Sequence, residues 1–135
     1  MLNLLVVDDE PMDRTAVRRA LAAAGLKHLV TEASGGEEAL RLLREGTLPQ
    51  ERRMVLLDMD MPGMHGLEFL RQLRKDEALT STPVLVLATQ AKEDTRKQAH
   101  ALNCAGYFVK PHEFEGLTEL MRTIERYWSN AYFAR

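Results

Sequence analysis

Five short apolar runs, each followed by a stretch with helical spacing, constrain this chain more than any other feature. They are "LNLLVV" (2–7), "LVTEA" (29–33), "MVLLD" (54–58), "PVLVLA" (83–88) and "GYFV" (106–109). Most of them are continuously apolar, as expected of strands covered on both faces. Between the first two, Ala16, Val17, Ala20, Leu21 and Ala24 recur at helical spacing over Met12–Ala24, and Gly25 stands where a left-handed C-cap is wanted. "SGGE" (34–37) predicts a capping box in which Ser34 bonds the Glu37 amide and the Glu37 side chain reaches back. The helix it opens carries Ala39, Leu40, Leu42 and Leu43 and stops near Gly46.

Residues 46–53, "GTLPQERR", have no periodicity and predict a loop. The third run breaks at Pro62 and Gly63, and Leu67, Phe69, Leu70 and Leu73 then give a third helix in "LEFLRQLRKD". "EDTRKQAHAL" (93–102) reads as a polar helix closed by Asn103. A last helix, roughly Phe114 to Trp128, presents Leu117, Leu120, Met121, Ile124 and Tyr127 on one face.

Strands alternating with helices predict an α/β fold, a parallel five-stranded sheet with helices on both sides and right-handed crossovers. A length of 135 residues suits one domain, 1–128, with an aromatic tail at 129–135 and no effector domain. The formal charge of −2 supplies no excess positive field, which argues against nucleic acid or an anionic membrane as partner. Cys104 is the only cysteine, so no internal disulfide forms; the N-terminus turns acidic too soon for a signal peptide. The expected location is cytoplasmic.

The chemistry concentrates at strand ends. Ligands of open parallel sheets bind at the carboxyl ends of the strands, where the strand order reverses. Asp8 and Asp9 end the first strand, Asp58 ends the third and Lys110 follows the fifth. Carboxylates brought together there repel one another unless a cation intervenes. Mg²⁺ suits such a set, and the combination suits phosphoryl transfer to an aspartate, with the lysine holding a phosphoryl oxygen. A blander reading has Asp9 or Asp13 capping the first helix. His28, His65, His100 and His112 lack metal-ligand spacing and read as surface or loop residues. Met54, Met59, Met61 and Met64 read as packing, and Cys104 as a small buried or half-buried residue.

"VVDDE" (6–10), "VLLDMDMPGMHG" (55–66), "PVLVLAT" (83–89) and "GYFVKP" (106–111), in this order and spacing, resemble the receiver domain of two-component response regulators. The resemblance implies a doubly wound, flavodoxin-like sheet of order 2-1-3-4-5. It implies Asp58 as phosphoacceptor for a histidine kinase, with Mg²⁺ held by Asp8, Asp9, Asp58 and the backbone carbonyl of Asp60. It also implies Lys110 as the phosphoryl contact, a cis Lys110–Pro111 bond, and Tyr107 as the aromatic residue that reports activation. Such a protein is not an enzyme beyond its own phosphorylation and dephosphorylation. One position departs from the pattern: Ala88 stands where receivers carry a Ser or Thr hydroxyl, and Thr89 comes one residue later. Alternation along a strand would turn Thr89 to the other face unless the strand has already ended.

The tail, the 46–53 loop and the length are similar to phytochrome-associated single-domain response regulators, which implies a phytochrome-type photoreceptor kinase as partner. Tyr127, Trp128, Tyr132 and Phe133 either pack on their own domain or mark a homodimer interface shared with the last strands and helices. Two other readings exist. "VLLDMD" also fits the Asp-x-Asp signature of haloacid-dehalogenase-type phosphatases, although there the signature comes first in the domain. The absent hydroxyl at Ala88 suits a receiver-like module that binds partners without phosphorylation.

Overall fold

The structure is a computed structural model and describes residues 1–61, 63–131 and 133. The expected Pro62 break and the tail position Tyr132 lie outside the described residues. Five strands, β1 (Asn3–Val7), β2 (Leu29–Ala33), β3 (Arg53–Asp58), β4 (Val84–Ala88) and β5 (Gly106–Val109), alternate with α1 (Pro11–Ala23), α2 (Gly36–Glu45), α3 (Gly66–Lys75), α4 (Glu93–Ala101) and α5 (Phe114–Trp128). All neighbours pair in parallel in the order β2-β1-β3-β4-β5.

Side chains alternate across the sheet and build two apolar layers. Leu5, Val7, Val55, Leu57, Val84 and Val86 face α2 and α3, where they meet Leu40, Leu43, Phe69, Leu70 and Leu73. Leu4, Val6, Met54, Leu56 and Leu85 face α1 and α5, meeting Val17, Leu21, Met121 and Ile124. The largely apolar character of β1, β3 and β4 follows from this double cover, because every residue of these three strands is buried and only Asn3, Arg53 and Asp58, at strand ends, are polar. Full burial of a large aliphatic side chain stabilises by roughly 1.5–3 kcal/mol, so the sheet centre rigidly fixes the strand ends.

Helix ends follow the expected chemistry with some corrections. Gly46, at φ +73°, caps α2 in the left-handed conformation, and Asn103 follows α4 at φ +59°. Ser34 binds Glu38 rather than Glu37: its N–H and hydroxyl both donate to Glu38 Oε1, at 2.6 and 3.1 Å. Gly35 is the N-cap, one residue later than a box on Ser34 would need, so the reach falls to the next acid along. Neither Asp9 nor Asp13 caps α1, whose N-cap is Glu10. The loop before β3 ends at Arg52, because Arg53 already pairs with Asn3 in the ladder.

One expectation about burial fails, and His28, in the loop before β2 as expected, is drawn further inward than a surface residue. Tyr127 is 69% exposed, since the covered stripe of α5 runs through Thr118, Met121 and Ile124 to Trp128 and leaves Tyr127 beside it. The His28 side chain is only 4% exposed, because it is drawn inward by two partners: Nδ1 accepts the Leu2 N–H at 2.9 Å and Nε2 lies 2.6 Å from Glu125. Met54, Met59 and Met61 are buried and Met64 packs against the α2–α3 layer, as read from sequence; Cys104 is likewise buried. Trp128 and Phe133 pack against the α1–α5 layer, so these two tail aromatics cover their own domain.

Candidate functional site

The register that buries the strands also aligns their ends. Asp8 follows β1, Asp58 is the last residue of β3, and Lys110 follows β5, its N–H donating to the Ala88 carbonyl at 2.7 Å. One carboxylate oxygen from each of Asp8, Asp9 and Asp58 lies within 4.8 Å of the others. Lys110 Nζ sits 3.0 Å from Asp8 Oδ2 and 3.5 Å from Asp58 Oδ1. Three acids and a lysine predicted from separate strand ends therefore meet in one place. Asp8, Asp58 and Lys110 border a cavity of about 300 Å³ that extends towards Phe114 and Leu117 on α5.

Asp8 and Asp58 are each only 5% exposed, while Asp9 is half-buried. Burial pushes the Asp58 carboxyl up to about 6; the Asp60 N–H opposes this, the Asp8 charge adds to it, and Lys110 opposes it again. That Asp60 N–H donates to Asp58 Oδ1 at 3.2 Å. Burial works against the charge on Lys110, but its hydrogen bond to Asp8 and the surrounding carboxylates hold its pKa above the usual lysine value. A crowded acid raised by burial and a like charge is the signature of a site that favours a divalent cation, and the all-oxygen donor set suits a hard one.

Local packing fixes the site from below. Gly66 opens α3 directly against the end of β3: a Cβ there would lie 2.7 Å from Met59 Sδ, 2.9 Å from Met59 Cα and 3.2 Å from the Asp58 carbonyl oxygen. The β1–α1 turn is braced by Arg14, which donates to the Asp8 carbonyl at 2.6 Å and to Glu32 at 2.8 Å.

Ala88 closes β4, is 2% exposed and offers no hydroxyl. The strand ends there, and Thr89 lies in a bend rather than on the opposite face of the sheet. Its hydroxyl donates to Asp60 Oδ2 at 2.8 Å. Tyr107, on β5, packs at the margin of the α2–α3 layer; burial first, then the Asp60 charge, raises its pKa.

The model for the response regulator receiver domain matches residues 4–122. The chain belongs to this family. The receiver is 33% identical over 127 residues to a probable methanogenesis regulatory protein of Methanothrix harundinacea, covering 93% of this chain and 82% of that protein. Among solved structures it resembles a response regulator in red light signalling of R. palustris, at 26% identity and a TM-score of 0.87, covering 100% of this chain and 99% of that one. It also resembles the phosphorylated cyanobacterial phytochrome response regulator RcpA, at 27% identity and a TM-score of 0.84 over the whole of both chains. The likeness to phytochrome-associated regulators read from the tail and loop is therefore found in the receiver's structure as well.

Sequence reasoning missed one member of the site and misjudged one bond. Asp13, in the first turn of α1, reaches Lys110 Nζ at 3.1 Å and gives the lysine a third carboxylate. Its signal was an acid one turn after the β1 acids, read only as a possible cap. The Lys110–Pro111 bond is trans, not cis, since no cis bond occurs among the described residues; trans remains the lower-energy form of an X–Pro bond by about 0.5–1 kcal/mol. No described helix is long and apolar enough to cross a membrane.

Proposed function

We propose that this receiver accepts a phosphoryl group on Asp58 from a histidine kinase and passes the signal on through altered protein–protein binding. The observation that carries the reading is the buried Asp58 carboxylate, flanked by Asp8 and Asp9 and set 3.5 Å from Lys110 Nζ. With its pKa near 6, Asp58 is ionised at neutral pH and can attack phosphorus. One Asp58 oxygen forms the new O–P bond as the P–N bond of the phosphohistidine breaks and the imidazole leaves with the electron pair. Lys110, freed from part of its contact with Asp8 or Asp13, holds a phosphoryl oxygen. Asp8, Asp9, Asp58 and the backbone carbonyl of Asp60 would hold Mg²⁺, which supplies offsetting charge for the phosphoryl oxygens.

The protein is a phosphoacceptor rather than an enzyme acting on a free substrate, and it works in the cytoplasm. The likeness to regulators named for red light and phytochrome favours a phytochrome-type kinase as donor. Tyr127, exposed at the end of α5, is available to a second copy of the chain.

Intact mass after incubation with Mg²⁺ and acetyl phosphate, or with a kinase as donor, tests the reading. The expected outcome is one added phosphoryl group in the wild type and none in Asp58→Ala. No gain from either donor would favour the second reading, a module that binds partners without phosphorylation, which Ala88 supports because it offers no hydroxyl to a phosphoryl group.

A further inference from the structure

Arg53 belongs to neither apolar layer and to no polar network. It opens β3 at the end of the sheet remote from Asp58 and is only 7% exposed. Among the described residues its side chain meets no hydrogen-bond acceptor and no carboxylate, and Nη1 is sealed from solvent without a partner. Burial alone lowers its pKa from the usual arginine value, with no neighbouring acid opposing it. Buried guanidinium groups are ordinarily paired, because an uncompensated buried charge is strongly unfavourable.

The preceding residue sharpens the imbalance. Arg52 donates to the carbonyls of Met1, Ala131 and Trp128 at 3.3, 3.1 and 2.5 Å, and its guanidinium lies 4.9 Å from the Phe133 ring centroid. All of these partners are neutral. Two adjacent positive charges thus lack a described counter-charge, and both residues line a cavity of about 540 Å³ beneath the N-terminal ends of β3 and β4. Gln50, Ser81 and Thr82 add polar groups to its wall, Phe133 adds an apolar one, and the exposed Glu51 stands among the lining residues.

We propose that this cavity binds a small organic phosphate monoester, with the phosphate held by Arg53 and the rim of Arg52, Ser81 and Thr82. A dianion matches two unopposed charges. The guanidinium fork is suited to bidentate oxyanion binding, and tetrahedral phosphate can use donors arriving from more directions than a planar carboxylate can. The volume falls within the range of about 300–1,000 Å³ usual for small-ligand sites, and Phe133 offers the organic part an apolar wall. The site stands apart from the Asp58 cluster, at the opposite end of the strands.

Amide chemical shifts of the full chain, titrated in EDTA with inorganic phosphate, glycerol phosphate and acetate at constant ionic strength, test the assignment. Saturable shifts at Arg52, Arg53, Ser81 and Thr82 are expected, with glycerol phosphate binding tighter than phosphate and acetate weakest. Arg53→Met, which keeps the length and removes the charge, should weaken binding at least about tenfold. Arg53→Lys, which keeps the charge without the fork, should fall between and serves if the methionine variant does not fold. Shifts that never saturate, that centre on Lys110 instead, or that persist unchanged in both variants would overturn the site. Acetate binding as tightly as phosphate would overturn the phosphate assignment.

Discussion

Thr89 and Ala88 differ by one position and by the end of a strand. Ala88 is the last ladder residue of β4 and fully covered, whereas Thr89 lies in the bend beyond it and reaches Asp60 at 2.8 Å. The hydroxyl that the sequence places one residue late is thereby returned to the rim of the site, two residues from Asp58, through Asp60 rather than directly. Thr89→Val should leave the thermal midpoint nearly unchanged, since exposed substitutions usually stay within about 0.5 kcal/mol. It should nevertheless shrink the phosphorylation-dependent chemical-shift change of Tyr107, whose ring lies in reach of the Asp60 charge. An undiminished Tyr107 response would mean that Thr89 does not stand in for the missing hydroxyl. Asp8, Asp9, Asp58 and Lys110 were legible in the sequence because each sits where an apolar run stops. Asp13 was not, because a single acid in a first helical turn has the same appearance whether it meets solvent or a lysine 97 residues away.

At the scale of elements, α3 ties the site to the rest of the fold at both ends. Its first residue, Gly66, touches the backbone of Asp58 and Met59 so closely that Gly66→Ala must displace either the helix or the end of β3. Overpacking of this kind typically costs about 1–3 kcal/mol, and here the displacement falls on the backbone of Asp58 and Met59. The expected result is a lower urea midpoint together with slower phosphorylation by acetyl phosphate; a slower rate with an unchanged midpoint would show that the close contact is not a source of stability. At its other end Arg74 donates to the carbonyls of Thr80, Thr82, Leu102 and Asn103, at 2.7 to 3.1 Å, joining the turn before β4 to the turn before β5. Arg74→Met leaves four carbonyls to find water and should lower stability by about 2–4 kcal/mol in urea unfolding. Sequence periodicity found α3 from Leu67, Phe69, Leu70 and Leu73, but it could not reveal Arg74 as a brace. A charged residue on a helix has the same pattern whether it faces solvent or bridges two turns. The capping pair failed for a related reason, since Glu37 and Glu38 are interchangeable to a spacing rule until the position of the N-cap is known.

For the whole molecule, the strand order needed more than the sequence pattern: alternation and crossover handedness leave several topologies, and the family resemblance selected the one observed. The long-range balance of charge was less legible still, because burial and partners distant in sequence, Glu125 for His28 and Asp8 and Lys110 for Asp58, perturb these groups. The two titrate in opposite senses over one pH window. Burial lowers the His28 pKa, with Glu125 partly opposing, so the unfolded chain takes up a proton more readily than the native one; stability from this group is present above about 6.5 and is lost as pH falls. Burial raises Asp58 to about 6, so the native state binds the proton first; that contribution is full below the ordinary carboxylate range and is lost as pH rises through about 6. In EDTA between pH 7 and 5, above the range where Glu32 and Glu38 with their lowered pKa values titrate, the two effects oppose each other. Asp58→Asn should remove one side and leave a protein that weakens on acidification. His28→Gln should remove the other and leave a protein that gains about 1 kcal/mol over the same interval. Urea midpoints measured at both pH values for the two variants should therefore move in opposite directions. Parallel movement would mean that a group other than these two governs the pH response of the fold.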